Sequence, residues 1–166
     1  MYCDSAYFYS ATNSVTAFGH VRFEQGDTLH GEGAILYYDG NTKLARLCRN
    51  VSLRHRNTVL TTDSLNYDRA NDLAWYYTGG KIVDSVNTLT SVWGQYVSHE
   101  NQALFKGDVH LVNENFVMDA DTLKYNTETH IADILGPTTI VYEEETTIYT
   151  PLGWYNTRTE ESELLN

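Results

Sequence analysis

Apolar and polar residues alternate with a period of two along most of this 166-residue chain. The alternation is clearest in residues 17–23, 59–67 and 103–111. This period is typical of β-strands that bury one face and expose the other. No segment carries a 3.6-residue apolar stripe of helical length. The pattern therefore predicts an all-β protein.

Two residue types mark a repeat along these strands. A tyrosine that precedes a polar turn recurs at a spacing of 29 residues, with the last copy 30 residues on: Tyr9, Tyr38, Tyr67, Tyr96, Tyr125 and Tyr155. An alanine that opens the next strand follows at spacings of 28, 29, 29 and 29: Ala17, Ala45, Ala74, Ala103 and Ala132. Two markers with one period predict about six strand-turn-strand units. Such units bury their apolar faces only by stacking on each other.

Short polar segments separate the markers and predict the turns: residues 39–42, 68–71, 126–129 and 156–159. Each begins with Asp or Asn, whose side chains bond the nearby backbone in turns. Glycines 31 and 33 interrupt one strand and indicate a bend or a bulge. The fourth unit departs most, because Val92-Trp93-Gly94-Gln95-Tyr96 has Val92 and Gly94 at the places where neighbouring units have aspartate and leucine.

Length and composition predict one folded domain, residues 1–157, followed by a tail or linker at 158–166 where the pattern is lost. The opening residues lack the basic and apolar regions of a signal peptide. Because Tyr9 falls where a repeat is already half finished, we expect the chain to be a piece of a longer protein whose targeting segment is missing. No stretch of about 18 apolar residues is present.

The net charge of −11, from 22 acidic and 11 basic residues, disfavours a nucleic acid partner, because such binding depends on neutralising phosphates. One basic cluster stands out, formed by Arg46, Arg49, Arg54 and Arg56. It is either an anion contact, which the arginine fork suits, or a strand edge that charge protects from aggregation.

Candidate catalytic and metal-binding chemistry is sparse. Asp119 and Asp121 share one face of a strand and resemble a carboxylate pair, but Asp121 matches Asp63 in the third unit, which favours a role in the repeat. The six histidines lack metal-ligand spacing. Cys3 and Cys48 are either a disulfide or two free thiols. We expect no enzyme activity, no metal and no cofactor.

Several short motifs together resemble the OstA-like family, which includes the LptA-type proteins of lipopolysaccharide transport and the amino-terminal domain of LptD-type proteins. The resemblance covers roughly residues 2–157. It is carried by Ala120-Asp121-Thr122-Leu123-Lys124-Tyr125 with Ala132 and Gly136, by Asp63-Ser64-Leu65-Asn66-Tyr67 with Ala74 and Gly79, and by Ala17-Phe18-Gly19-His20-Val21.

This resemblance implies an elongated antiparallel β-jelly roll, or β-taco, whose sheets enclose an apolar groove. It also implies a periplasmic location in a Gram-negative cell envelope, lipopolysaccharide or a related amphiphile as cargo, and end-to-end stacking with other Lpt domains or with itself through edge strands. The matched places in the repeat predict the groove-lining residues: Leu65, Tyr67, Phe105, Val109, Leu123, Tyr125 and Ile134.

Two other functions fit the residues. A closed, fully packed stack is a purely structural module that joins protein partners by strand addition. A carbohydrate-binding β-solenoid instead uses exposed aromatic residues, for which Trp75, Trp93 and Trp154 are the candidates. An open trough between the sheets favours the lipid carrier, whereas an aromatic row on a flat face favours the sugar binder.

Overall fold

A computed structural model describes residues 1–165, which are nearly all antiparallel β-sheet, so the predicted all-β fold is confirmed. The strands are β1 (Ser5–Tyr9), β2 (Ser14–Gln25), β3 (Leu29–Asp39), β4 (Leu44–His55), β5 (Thr58–Asp68), β6 (Leu73–Tyr76), β7 (Gly80–Val83), β8 (Asn87–Ser91), β9 (Trp93–Val97), β10 (Gln102–Asn113), β11 (Phe116–Asn126), β12 (Ile131–Ile134), β13 (Thr138–Tyr142), β14 (Thr146–Thr150), β15 (Leu152–Asn156) and β16 (Ser162–Leu165). A short 3-10 turn spans Ser98–Glu100.

The strands form two arms of a jelly roll that share six long strands. Each of β2, β3, β4, β5, β10 and β11 contributes one half to arm A and the other half to arm B. The short strands complete the arms, because β1, β6, β9, β12, β15 and β16 extend arm A, whereas β7, β8, β13 and β14 extend arm B. The inner faces of the two arms meet in one hydrophobic core.

The long strands bend where the pairing register breaks. The extra residues lie in β2, β4 and β10, as three pairs with positive φ: Gly19-His20, Arg49-Asn50 and Gly107-Asp108. Two consecutive left-handed residues turn a strand sharply and leave it one residue longer than its partner. Asp63 and Asp121 each stand alone opposite one of these pairs, so the repeated aspartate belongs to the bend.

The two sequence markers form a single row on the inner face of arm A, which we call the tyrosine ladder. Tyrosines and alanines alternate in it from strand to strand, in the order Tyr38, Ala45, Tyr67, Ala74, Tyr96, Ala103, Tyr125, Ala132 and Tyr155. A small residue beside each ring leaves the ring room to lie across the sheet. The 29-residue period therefore arises from this cross-strand pairing.

The first unit is out of step with the ladder, contrary to the marker assignment. Phe8 and Val15 occupy its ladder positions, because Phe8 pairs with Val15 and Val15 pairs with Tyr38. Tyr9 lies one place closer to the turn and is 51% exposed, while Ala17 pairs with Leu36 in the next row. The marker spacing cannot detect a shift of one residue inside a hairpin.

A second row of the core explains the unusual fourth unit. Gly94 lies between Tyr76 on β6 and Phe105 on β10. A Cβ atom at Gly94 would lie 2.4 Å from Cζ of Tyr76, so the tyrosine ring occupies the space that a larger residue at 94 would fill. The leucine missing from this unit is thus replaced by an aromatic ring from the neighbouring strand.

All four turns predicted from polar segments are confirmed. In each, the first side-chain oxygen accepts hydrogen bonds from the backbone N–H groups two and three residues later, and these residues are Asp39, Asp68, Asn126 and Asn156. The residue that closes each turn is left-handed: Lys43, Asp72, His130 and Glu160. Local side-chain chemistry therefore sets the turns, as the sequence predicts.

Three local features of the fold bear on expectations from the sequence. The segment 158–166, expected as a tail or linker, supplies β16, which pairs with β15 through Ser162–Leu165, while Asn166 lies outside the described residues. The arginine cluster does not lie on a strand edge, because β4 pairs with both β3 and β5. The register break near Gly33 is present, but β2 and β4 carry the extra residues.

Candidate functional site

The seven predicted groove residues all lie in the buried core. The second row of arm A holds Leu65, Phe105, Leu123 and Ile134, the tyrosine ladder holds Tyr67 and Tyr125, and arm B holds Val109 just past the bend. None of the seven is more than 3% exposed. They face inward, but the interior around them is packed, so their contact with a lipid stays a prediction.

The ladder hydroxyls connect the two arms at the mouth of the jelly roll. Tyr67 donates a hydrogen bond to Oε1 of Gln25 at 2.9 Å, and Gln25 is the last residue of β2 in arm B. The Gln25 amide in turn donates to Asp72, which also accepts from Tyr67 at 3.3 Å. We call such a bond between a ladder tyrosine and arm B a latch.

A second latch joins Tyr96 to His55, the last residue of β4 in arm B, with 2.8 Å between the hydroxyl oxygen and Nδ1. Both side chains are buried. Burial, reinforced by the nearby Arg56 guanidinium, lowers the pKa of His55 below its ordinary value, although Asp72 opposes this. Burial therefore favours the neutral imidazole in the fold.

The third latch has the most partners. Tyr125 donates to Oδ2 of Asp84 at 2.5 Å and accepts from the Asn87 amide at 2.7 Å. Nδ1 of His130 lies 3.1 Å from the same hydroxyl and 3.6 Å from the Asp84 carboxylate. Burial and the Asp84 hydrogen bond raise the pKa of Tyr125. The mouth is therefore closed here by a buried polar network.

The three latches share one spacing. Each tyrosine bonds a residue 41 or 42 positions earlier, as Tyr67 with Gln25, Tyr96 with His55 and Tyr125 with Asp84. The ends of the ladder are different. Among residues 1–165, the Tyr38 hydroxyl makes no such bond, and the Tyr155 hydroxyl is buried with no hydrogen-bond partner. The latched part of the mouth thus spans the third to fifth units.

An apolar cleft of about 190 Å³ opens at the unlatched end. Its lining comprises Met1, Phe23, Glu24, Gln25, Leu36, Tyr38, Ala45, Tyr67 and Arg69. The rings of Phe23 and Tyr67 pack with their centroids 5.5 Å apart. Gly31 lies opposite Phe23, where a Cβ atom would lie 2.1 Å from the ring, so the glycine makes room for this wall of the cleft.

Sequence reasoning selected only Tyr67 among the residues that line this cleft. The period-two pattern already contained Phe23, and the repeat marker contained Tyr38. No sequence signal distinguishes an open unit from a closed one, because closure depends on Gln25, His55 and Asp84. These three residues differ in type, and each contacts a tyrosine more than one repeat away.

Over residues 1–165, the outer face does not carry the continuous aromatic row that a sugar-binding surface requires. Trp75 and Trp154 lie on the outer face of arm A, separated by strands whose residues at that level include Gln95 and Lys124. Trp93 is half-buried beneath Lys106, whose Nζ lies 5.4 Å from the ring centroid. These tryptophans are scattered side chains on a polar face.

The remaining chemical candidates lie outside the cleft. Asp119 is exposed and its Oδ1 lies 2.6 Å from Nδ1 of His110, while Asp121 is exposed at the bend. Cys3 and Cys48 are free thiols. Within residues 1–165, no three His, Cys, Asp or Glu side chains come together as metal ligands. The same residues include no helix long and apolar enough to cross a membrane.

Comparisons with known proteins agree with this geometry. A model of the OstA-like protein family matches residues 1–121. The structure of LptH from Pseudomonas aeruginosa, described as the LptA-homologous periplasmic component of the conserved lipopolysaccharide transport device, is similar, with a TM-score of 0.55 at 9% identity over 83% of this chain and 94% of that chain.

A second solved structure, the E1021V mutant of the TCP10 domain of Danio rerio CPAP, has 7% identity over 89% of this chain and 99% of that chain. Its TM-score of 0.16 is too low to support an argument. No curated protein matches the chain. The likeness to LptH shows that the two chains share a fold.

Proposed function

Because the chain belongs to the OstA-like protein family, we propose that it is a non-enzymatic lipid-carrier and scaffold domain of the periplasm. Its cargo is lipopolysaccharide or a related amphiphile, and its role is to shield acyl chains from water. The observation that carries the proposal is the apolar cleft between the arms at the unlatched end.

The size of the cleft suits part of one acyl chain. A methylene group takes about the volume of a water molecule in the liquid, roughly 30 Å³, so 190 Å³ holds about six of them. Burying about six methylenes contributes about 5 kcal/mol before the cost of ordering the tail. This is enough for reversible binding, which suits a protein that must pass its cargo on.

Open strand edges support stacking with another copy or another Lpt domain. In the part of the chain that the structure describes, β1 at one end pairs only with β2, and its aromatic residues are exposed, with Tyr7 at 60% and Phe8 at 65%. At the other end of the same described part, β14 and β16 each pair on one side only. Strand addition at such edges joins sheets through backbone hydrogen bonds, and would extend both arms into a neighbouring domain.

Site-specific photocrosslinking tests the carrier role. A benzophenone amino acid at position 38 points along the inner face into the cleft, whereas the same group at position 37 lies on the outer face of the same strand. With purified lipopolysaccharide, we expect ultraviolet irradiation to label the lipid from position 38. The two positions carry the same probe on the same strand at the same end of the molecule, and they differ only in the face of the sheet to which the probe is attached.

Equal labelling from positions 37 and 38, or labelling from neither, would contradict the proposed cleft. Lipid extraction from protein purified without detergent provides an independent measurement. Recovery of an acyl-chain-containing lipid in a stoichiometric amount supports a carrier. If no lipid is recovered although position 38 crosslinks to lipopolysaccharide, binding is too weak to survive purification.

A second function is favoured by the packed interior of the third to fifth units. There the latches close the mouth and the core residues are fully buried, as in a purely structural module that joins partners by strand addition. Photocrosslinking distinguishes the two functions, because a structural module would label partner proteins through β1 or β16 and no lipid from position 38.

A further inference from the structure

The first latch lies where the open cleft meets the packed interior. Tyr67 and Gln25 both line the cleft, and the Tyr67 ring also packs against Phe23. Beyond them, Leu65, Leu53 and Leu60 are at most 2% exposed. The bond between Tyr67 and Gln25 joins the two arms across this boundary. A tail that enters the cleft therefore meets a wall whose two sides are fastened together.

We propose that the latches are specificity determinants that limit the length of the hydrocarbon tail the protein holds. Tyr67, Gln25 and Phe23 form the end wall, and the latches at Tyr96 and Tyr125 keep the following units closed. The inference rests on the proposed carrier function and narrows the ligand of the same site to an amphiphile that places one alkyl tail, with about six methylenes of it, inside the cleft.

Three features of the structure support a wall that resists a longer tail. The single Tyr67 hydroxyl proton is shared between Oε1 of Gln25 and Oδ1 of Asp72, so moving the ring aside separates the hydroxyl from both acceptors. Asp72 also accepts from the Gln25 amide, which ties the turn after β5 to the end of β2. The next latch, Tyr96 with His55, lies one unit further and closes the mouth again. A longer tail would need to break these latches in order.

The experiment measures affinity as a function of tail length. Alkyl maltosides with tails of about six to twelve carbons, kept below their critical micelle concentrations, are titrated into the whole chain and followed by calorimetry. Each buried methylene raises the affinity about fourfold. We expect the affinity of the unmodified protein to rise with tail length and to level off after about six buried methylenes.

Two variants test the wall. Tyr67→Ala removes it, and we expect the affinity to go on rising by a further two or more methylenes before it levels off. Gln25→Ala removes the latch and leaves both rings in place, so it serves if Tyr67→Ala does not fold. Tyr37→Ala is the control, because it deletes a tyrosine from the outer face of β3, and its levelling point should match that of the unmodified protein.

The outcomes separate the two proposals. If no maltoside binds at any tail length, both the carrier function and the length limit fail. The length limit is overturned, and the cleft survives, if maltosides bind but the affinity rises with tail length without levelling off. The same conclusion follows if the affinity levels off at one tail length in the unmodified protein, in Gln25→Ala and, where it folds, in Tyr67→Ala. Circular dichroism and thermal unfolding confirm that each variant is folded before titration.

Discussion

Removing a single oxygen from the tyrosine ladder tests whether the latches stabilise the fold. Tyr125→Phe keeps the ring in the core and deletes the hydroxyl that bonds Asp84 at 2.5 Å and Asn87 at 2.7 Å. Tyr155→Phe makes the same change one unit later, where the hydroxyl is buried and has no partner. The two variants differ in hydrogen bonding while the chemical change is identical.

The structure gives the expected magnitudes. A hydrogen bond to a charged group contributes about 1.5–3 kcal/mol, and a buried partner left unpaired adds about 1–3 kcal/mol. The other oxygen of Asp84 keeps its bonds to the backbone N–H groups of Val86 and Asn87, which limits the loss. We expect Tyr125→Phe to lower the free energy of unfolding by about 3 kcal/mol. For a chain of this length that is a fall of roughly 6–12 °C in Tm.

Tyr155→Phe should leave stability unchanged or raise it by up to about 1 kcal/mol, because it removes an unsatisfied buried group. Urea unfolding followed by tryptophan fluorescence measures both variants under one set of conditions. A loss in Tyr155→Phe within about 0.5 kcal/mol of that in Tyr125→Phe would refute the reasoning, since only the latched hydroxyl has partners to lose.

A double-mutant cycle checks the partner. Asp84→Asn should cost less in the Tyr125→Phe background than in the unmodified protein, because the two side chains share one interaction. Additive losses would mean that the hydroxyl and the carboxylate stabilise the fold independently.

Two further predictions concern other parts of the core. The pKa of His55 is lowered in the fold, so near pH 6.5 the unfolded chain binds a proton that the folded protein does not. The free energy of unfolding should therefore fall as the pH is lowered from about 7 to about 5.5. In urea titrations at several pH values, His55→Gln should flatten this slope. An unchanged slope would exclude His55 as the cause. Gly94→Ala places a Cβ atom against the Tyr76 ring and should lower the free energy of unfolding by about 1–3 kcal/mol. The second change Tyr76→Leu should restore most of this loss in thermal unfolding. If stability does not recover, the ring is not the obstacle.

Much of the fold is predictable from the sequence because its determinants are local. The side chains of Asp39, Asp68, Asn126 and Asn156 form their turns within three residues of themselves. Strands follow from the period-two pattern, and the tyrosine and alanine markers predict the repeat because they are direct cross-strand neighbours. Family resemblance adds the two-arm arrangement that these local signals do not contain.

The latches and the open cleft could not be predicted from the sequence, because both depend on contacts between the two arms. Gln25, His55 and Asp84 differ in chemistry, so no repeated residue type indicates that they have the same role. Leu65, Phe105 and Leu123 are buried in the core, and whether the interior around such residues is open or packed depends on the opposing arm. The register shift of the first unit could not be predicted from the marker spacing either. Tyr9 keeps the 29-residue spacing, although Phe8 occupies the ladder position on its strand.

The 41- to 42-residue reach of each latch has a consequence for how such a molecule can change in length. Because a tyrosine takes its partner from about one and a half units upstream, no unit can close itself, and the row of closures has a direction along the chain. Adding or removing one whole 29-residue unit shifts tyrosines and partners together and restores every contact but those at the join. Adding whole units therefore gives a longer molecule with its latches intact. Adding half a unit would misalign every latch whose tyrosine and partner lie on opposite sides of the insertion.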